Sequence, residues 1–219
     1  IPVVDEMGIL VGRITIDDIV DVIKDEADED YQLAAGISQE VDADDSIITL
    51  TRARLPWLVL ALLGGFVSVK VLGLFEGAMM EHGHLFFFTP LIAAMAGNVG
   101  VQSSAIIVQG LANNTLSGSL FHRLIKEVSL SLLNGVILGL ILFAGSYYLL
   151  DVEMIVGVIV TVALISVIII ASLIGTFVPL LLEKWGIDPA LATGPFITTS
   201  NDICGILIYF SIAQYILHF

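Results

Sequence analysis

The sequence predicts an all-α membrane protein with about five transmembrane helices per chain, preceded by a small α/β piece and an acidic connecting helix. Hydrophobic residues make up 57% of the 219 positions and charged ones only 14%, where soluble domains run at roughly 45–50% apolar and about 25% charged. The mean hydropathy is +0.99. Charge is also partitioned: of 22 acidic and 8 basic side chains, residues 1–50 hold 14 acidic and 2 basic. The nearly neutral remainder is long enough for several crossings at roughly 20 apolar residues each. The net charge of −14 disfavours a nucleic-acid partner, which needs clustered Lys and Arg, and points towards cations. The single cysteine, Cys204, excludes an internal disulfide and a Cys-based zinc site; in its apolar run it reads as packing. The chain opens at Ile1 without a basic n-region or signal h-region, so a piece of a longer protein is expected.

Residues 1–24 follow soluble-protein rules. Ile1-Pro2-Val3-Val4-Asp5 and Ile9 to Thr15 form two short apolar runs joined by Glu6-Met7-Gly8, the pattern of a β-hairpin. Thr15 then stands three residues before Asp18, with Ile16, Ile19, Val20 and Ile23 at helical spacing, which predicts a capped helix. The run IPVVDEMGILVGRITIDDIVDVI resembles the second half of a CBS domain. The resemblance implies that Thr15 and Asp18 contact nucleotide phosphate and ribose in members that bind one; the alternative is a simple helix cap. Any nucleotide would need the complete CBS domain, because a hairpin and one helix bury no core alone.

Residues 25–50 are read as an acidic connecting helix and linker. Asp18, Asp21, Asp25 and Asp28 recur at intervals of three or four, aligning carboxylates on one helical face. Such a face is either simply solvated or neutralised by hard cations such as Mg2+.

Residues 51–219 form the transmembrane domain. Long apolar runs predict spans at about 56–76, 86–111, 127–150, 154–182 and 190–217, with joints carrying Arg52 and Arg54; Glu76, Glu81, His82 and His84; Arg123 and Lys126; Asp151 and Glu153; and Glu183, Lys184 and Asp188. Basic residues at every second joint place the amino-terminal side in the cytoplasm and the carboxyl terminus outside. Lys70, near the end of the first span, is expected to snorkel. His82 and His84 could grip a transition metal, but a short turn without further ligands favours a solvated loop.

Zincin, nucleophile-elbow, P-loop and dinucleotide motifs are absent from the sequence, and no enzyme activity is expected. Two polar interruptions stand out instead. The second span contains Pro90 to Ser104, with Asn98, Gln102, Ser103 and Ser104; the fifth contains Gly194 to Gly205, with Thr198, Thr199, Asn201 and Asp202. Asp202 is an acid well inside a predicted span. A carboxylate at the bilayer centre costs roughly 2.5–3.5 kcal/mol on insertion scales, so it is expected to face a bundle interior or a watery path.

The CBS ending, the acidic helix, the five spans, and the P-L-I-x-x-M-x-G-N-x-G-x-Q-S and G-P-F-x-T-T-x-x-D-x-x-G stretches, in that order, resemble the MgtE family of magnesium channels. The resemblance implies a homodimer in the cell membrane, with a pore at the two-fold interface lined by the second and fifth spans and closed by cytoplasmic Mg2+ through the connecting helix. It places Asp202 at the pore ion site and Asn98, Gln102, Gly194, Pro195, Thr198, Thr199 and Asn201 along the path. It assigns Asp25, Glu26, Asp28, Glu29 and Asp30 to a regulatory Mg2+ surface. Two other readings stay open: a secondary transporter exchanging a divalent cation for protons or sodium, and a non-conducting anchor for a CBS module.

Overall fold

In the computed structural model, residues 1–77, 82–116 and 118–217 are described; Glu81 of the second joint lies outside them. Strand β1 (Pro2–Val4) pairs antiparallel with β2 (Leu10–Arg13) in the register Pro2↔Arg13, Val3↔Gly12 and Val4↔Leu10. Asp5 shapes the turn: its Oδ1 accepts from the backbone N–H groups of Met7 and Ile9, both at 2.9 Å.

Helix α1 (Ile16–Ala34) starts at a complete capping box. The Asp18 carboxylate accepts from the Thr15 backbone and hydroxyl, both at 2.7 Å, and the Asp18 N–H donates back to the Thr15 hydroxyl at 3.4 Å. These bonds to Thr15, backbone first, hold the Asp18 carboxyl below its ordinary value. α1 runs unbroken through positions 24 and 25, so the capped helix and the acidic helix are one rod. It has no buried residue.

Five longer helices follow, each long and apolar enough to cross a membrane: α2 (Ile47–Gly73), α3 (Thr89–Ala112, entered through a 3-10 segment at Gly83–Phe88), α4 (Leu120–Tyr148), α5 (Met154–Lys184) and α6 (Gly194–Leu217, preceded by a 3-10 segment at Pro189–Ala192). Two starts differ from the sequence expectation. α2 begins well before Pro56 because the Ser46 side chain caps it by accepting from Thr49 N–H, and Pro56 lies inside the helix. α4 begins before Arg123 and Lys126 because Ser119 accepts from His122 N–H at 3.3 Å. Both basic residues therefore lie in its first two turns rather than in a joint.

α3, α5 and α6 pack mutually, α2 packs against α6, and α4 packs against α5. α5 is the central post, with Ile159, Val160, Ala163, Leu164, Val167 and Ile168 buried. Lipid tails are as apolar as leucine, so such helices associate through close packing and cross-helix hydrogen bonds. Small residues permit both. Gly205 packs against Ala96 and Val167, Gly135 and Gly139 pack against Ile165, and Gly175 meets the carbonyl of Gly100. Ser131 donates to Ser172 at 2.6 Å, Ser104 to the Ala192 carbonyl at 2.9 Å, and Tyr209 to the Leu85 carbonyl at 2.7 Å.

Candidate ion pathway

Asp202 lies about 12 Å along α6 from Gly194, at 1.5 Å per residue. It is half-buried and sits in the seam between α6 and α3, where the missing side chain of Gly97 makes room for it. A Cβ built on Gly97 would lie 3.4 Å from Asp202 Oδ1 and 3.5 Å from Thr198 Cγ2. Thr198 and Asp202 are four residues apart and share one face of α6. The Thr198 hydroxyl donates to the carbonyls of Gly194 at 3.2 Å and Pro195 at 3.1 Å. Along α3, Asn98 and Gln102, four residues apart, share one exposed face.

The other motif residues point elsewhere, because each helical step turns the side chain by about 100°. Asn201 is 1% exposed and packs on Gly100 of α3, with neither its Oδ1 nor its Nδ2 partnered. Thr199 fits against Gly64 of α2. Gly194, with φ +50, abuts the carbonyl of Ala34 at the end of α1, and Pro195 packs on Gly36. The structure therefore brings Asp202 and Thr198 together against Gly97, and leaves Asn98 and Gln102 exposed on α3. It places Thr199 and Asn201 in helix contacts, and Gly194 and Pro195 in the joint with the connecting helix.

The acidic segment also divides. Asp25, Glu26, Asp28, Glu29 and Asp30 are all exposed, but only Glu26 and Asp30 also line a cleft of about 470 Å³ shared with Glu183 and Asp188. Burial, then the charge of Asp188, then that of Glu26 raise the Asp30 carboxyl above its ordinary value. Glu183 and Asp188 carry no local sequence signal as site residues, since only the tertiary fold brings them to α1. On the opposite end, His82 and His84 share a cavity of about 310 Å³ with Asp151 and Glu153. Among the described residues, no group of three or more His, Cys, Asp or Glu side chains is placed to hold a metal ion. Lys70 is exposed in the last turn of α2, and Cys204 is half-buried as a free thiol.

Residues 89–212 match the MgtE family model, described as a divalent cation transporter. Curated relatives include proteins named magnesium transporter MgtE from Bacillus subtilis, 38% identical over the whole chain, Enterococcus faecalis, 38% identical over 98% of it, and Thermus thermophilus, 36% identical over 99% of it. The chain spans about half the length of these relatives, 47–48% of each. A family match over more than half the chain and relatives along all of it coincide with five apolar helices and an intramembrane acid: the chain belongs to the MgtE family.

Proposed function

We propose that this chain is one half of a homodimeric magnesium channel of the cell membrane, with α1 in the cytoplasm, and that Asp202 holds the permeating ion. The observation that carries the reading is the polar seam in an apolar bundle. Asp202 and Thr198 on α6 meet Gly97 of α3, whose neighbour Asn98 is exposed together with Gln102, polar surface that lipid would not solvate and that suits water or a second copy. One carboxylate per chain is a sparse site. Mg2+ keeps several waters and needs only one or two carboxylates, and a two-fold axis along the seam would supply the second. Mg2+ here is cargo, bound through its hydration shell to Asp202, Asn98 and Gln102.

Regulation follows from the contact between α1 and α6. Glu26 and Asp30 repel Glu183 and Asp188 across their cleft; cytoplasmic Mg2+ would screen that repulsion, seat α1 against the start of α6, and close the path. The exposed Asp25, Asp28 and Glu29 would extend the same regulatory surface towards the rest of the cytoplasmic region, where a complete CBS domain could also take a nucleotide. Flux of Mg2+ into liposomes carrying the purified dimer, without a proton or sodium gradient, tests the reading. Passive, saturable Mg2+ flux that Asp202→Asn weakens is expected. Flux that requires a counter-ion gradient would favour the exchanger, and no flux the anchor.

A further inference from the structure

We propose that the cleft between α3, α4 and α5, at the end of the bundle that faces α1, binds the phosphate headgroup of an anionic membrane lipid. The cavity measures about 450 Å³ and gathers His122, Arg123 and Lys126 from the first turns of α4. This is a concentrated positive surface in a chain with 8 Lys and Arg against 22 Asp and Glu. Its position is set by α3, whose last turn, Leu111 and Ala112, reaches the cleft that holds Asp30.

Three further features suit a phosphate monoanion or diester. α4 is 29 residues long and its first two turns line this cavity, so the positive end of its dipole lies beside the same space. Thr176 of α5 forms part of the wall and is 1% exposed, and its hydroxyl has no hydrogen-bond partner. A threonine within a helix can satisfy its hydroxyl on the carbonyl four residues earlier; here the hydroxyl is buried in the cavity wall without a partner. Glu127 also lines the cavity, where Ser103 on α3 donates to its Oε1 at 2.6 Å, and the two fixed cations Arg123 and Lys126 outnumber this one carboxylate.

The remaining wall selects a lipid over a free phosphate. Ile106, Ile107 and Leu130 line the cavity, and Ile106 at 62% and Leu130 at 45% exposure carry the apolar surface out onto the flank of the bundle. An acyl chain can follow that flank while the headgroup stays among the basic residues. Basic pockets between transmembrane helices are a known chemical fit for such headgroups.

The test is native mass spectrometry of the intact protein in detergent with equal amounts of phosphatidylglycerol and phosphatidylcholine, with excess inorganic phosphate as competitor. Phosphatidylglycerol should be retained about tenfold over phosphatidylcholine, and phosphate should not displace it. The double variant Arg123→Ala, Lys126→Ala should abolish the preference, and Thr176→Val, which keeps shape and removes the hydroxyl, should lower it about threefold. Loss in the double variant alone would assign the headgroup to the basic pair. Equal retention of the two lipids, displacement by phosphate, or an unchanged preference in both folded variants would overturn the proposal. Should the double variant fail to fold, the wild-type competition and Thr176→Val decide.

Discussion

Gly97 of α3 lies opposite Asp202 of α6, and a Cβ in its place would stand 3.4 Å from the carboxylate oxygen. The backbone of one helix thus sets the space around the only acid within α6. Asp202→Asn conserves volume and removes the charge. It is expected to lower the preference for Mg2+ over Na+ by about tenfold or more, with the dimer intact on size exclusion. Selectivity that survives in the intact dimer would assign Asp202 to packing instead.

Gly97→Ala and Gly100→Ala separate the two roles of α3. The first adds a methyl at ordinary contact distance and should leave folding unchanged while shifting Mg2+ affinity. The second drives a methyl into the Asn201 amide and to 2.8 Å from Ile197, in a seam with no slack. Overpacking of this kind costs typically 1–3 kcal/mol, so about that loss of stability is expected. Thermal unfolding of the two purified variants checks the contrast.

The five helices were legible because apolar runs of crossing length leave few other folds. Their starts were less so. Pro56 marks a boundary in the sequence, yet Ser46 caps α2 upstream, and a proline beyond the first turn is tolerated in membrane helices where neighbours compensate. Asp202 was legible as an expensive charge in an apolar span. Thr199 and Asn201 share its motif but turn into helix contacts, because motif membership gives spacing and not which neighbour each face meets. The cleft joining Asp30 to Asp188 and Glu183 was invisible for the same reason.

Sidedness is checked by cysteine labelling in a Cys204→Ala background. Lys184→Cys, at the end of α5 beside the acidic cleft, should label only from the cytoplasm, and His84→Cys only from outside, because the basic joints bias orientation. Equal labelling of both from one side would remove the odd-crossing topology.

The joint between α1 and α6 predicts separate effects for backbone and charge. Gly36 adopts φ +79, and a Cβ there would lie 2.5 Å from Pro195 Cγ, so Gly36→Ala strains the turn and pushes α1 off the start of α6. The protein should still fold, and flux should persist at millimolar Mg2+ where the parent closes.

Asp30 acts on the same joint through its charge. Its carboxyl is raised by burial and by the charges of Asp188 and Glu26, so ionisation opposes the docked state. The penalty is present in full above the raised value and fades as pH falls towards the ordinary 3.8, where the proton is bound in both states. Docking should therefore strengthen on acidification through that window, and Mg2+ should substitute for the proton at neutral pH. Asp30→Asn removes the penalty at every pH. Hydrogen-exchange protection of α1 amides, relative to their intrinsic exchange at each pH, should then be high without Mg2+ and flat across the window, while the parent protein gains protection only on acidification or on adding Mg2+. A variant whose α1 exchanges like the parent's, with the same dependence on Mg2+, would show that Asp30 takes no part in seating the helix.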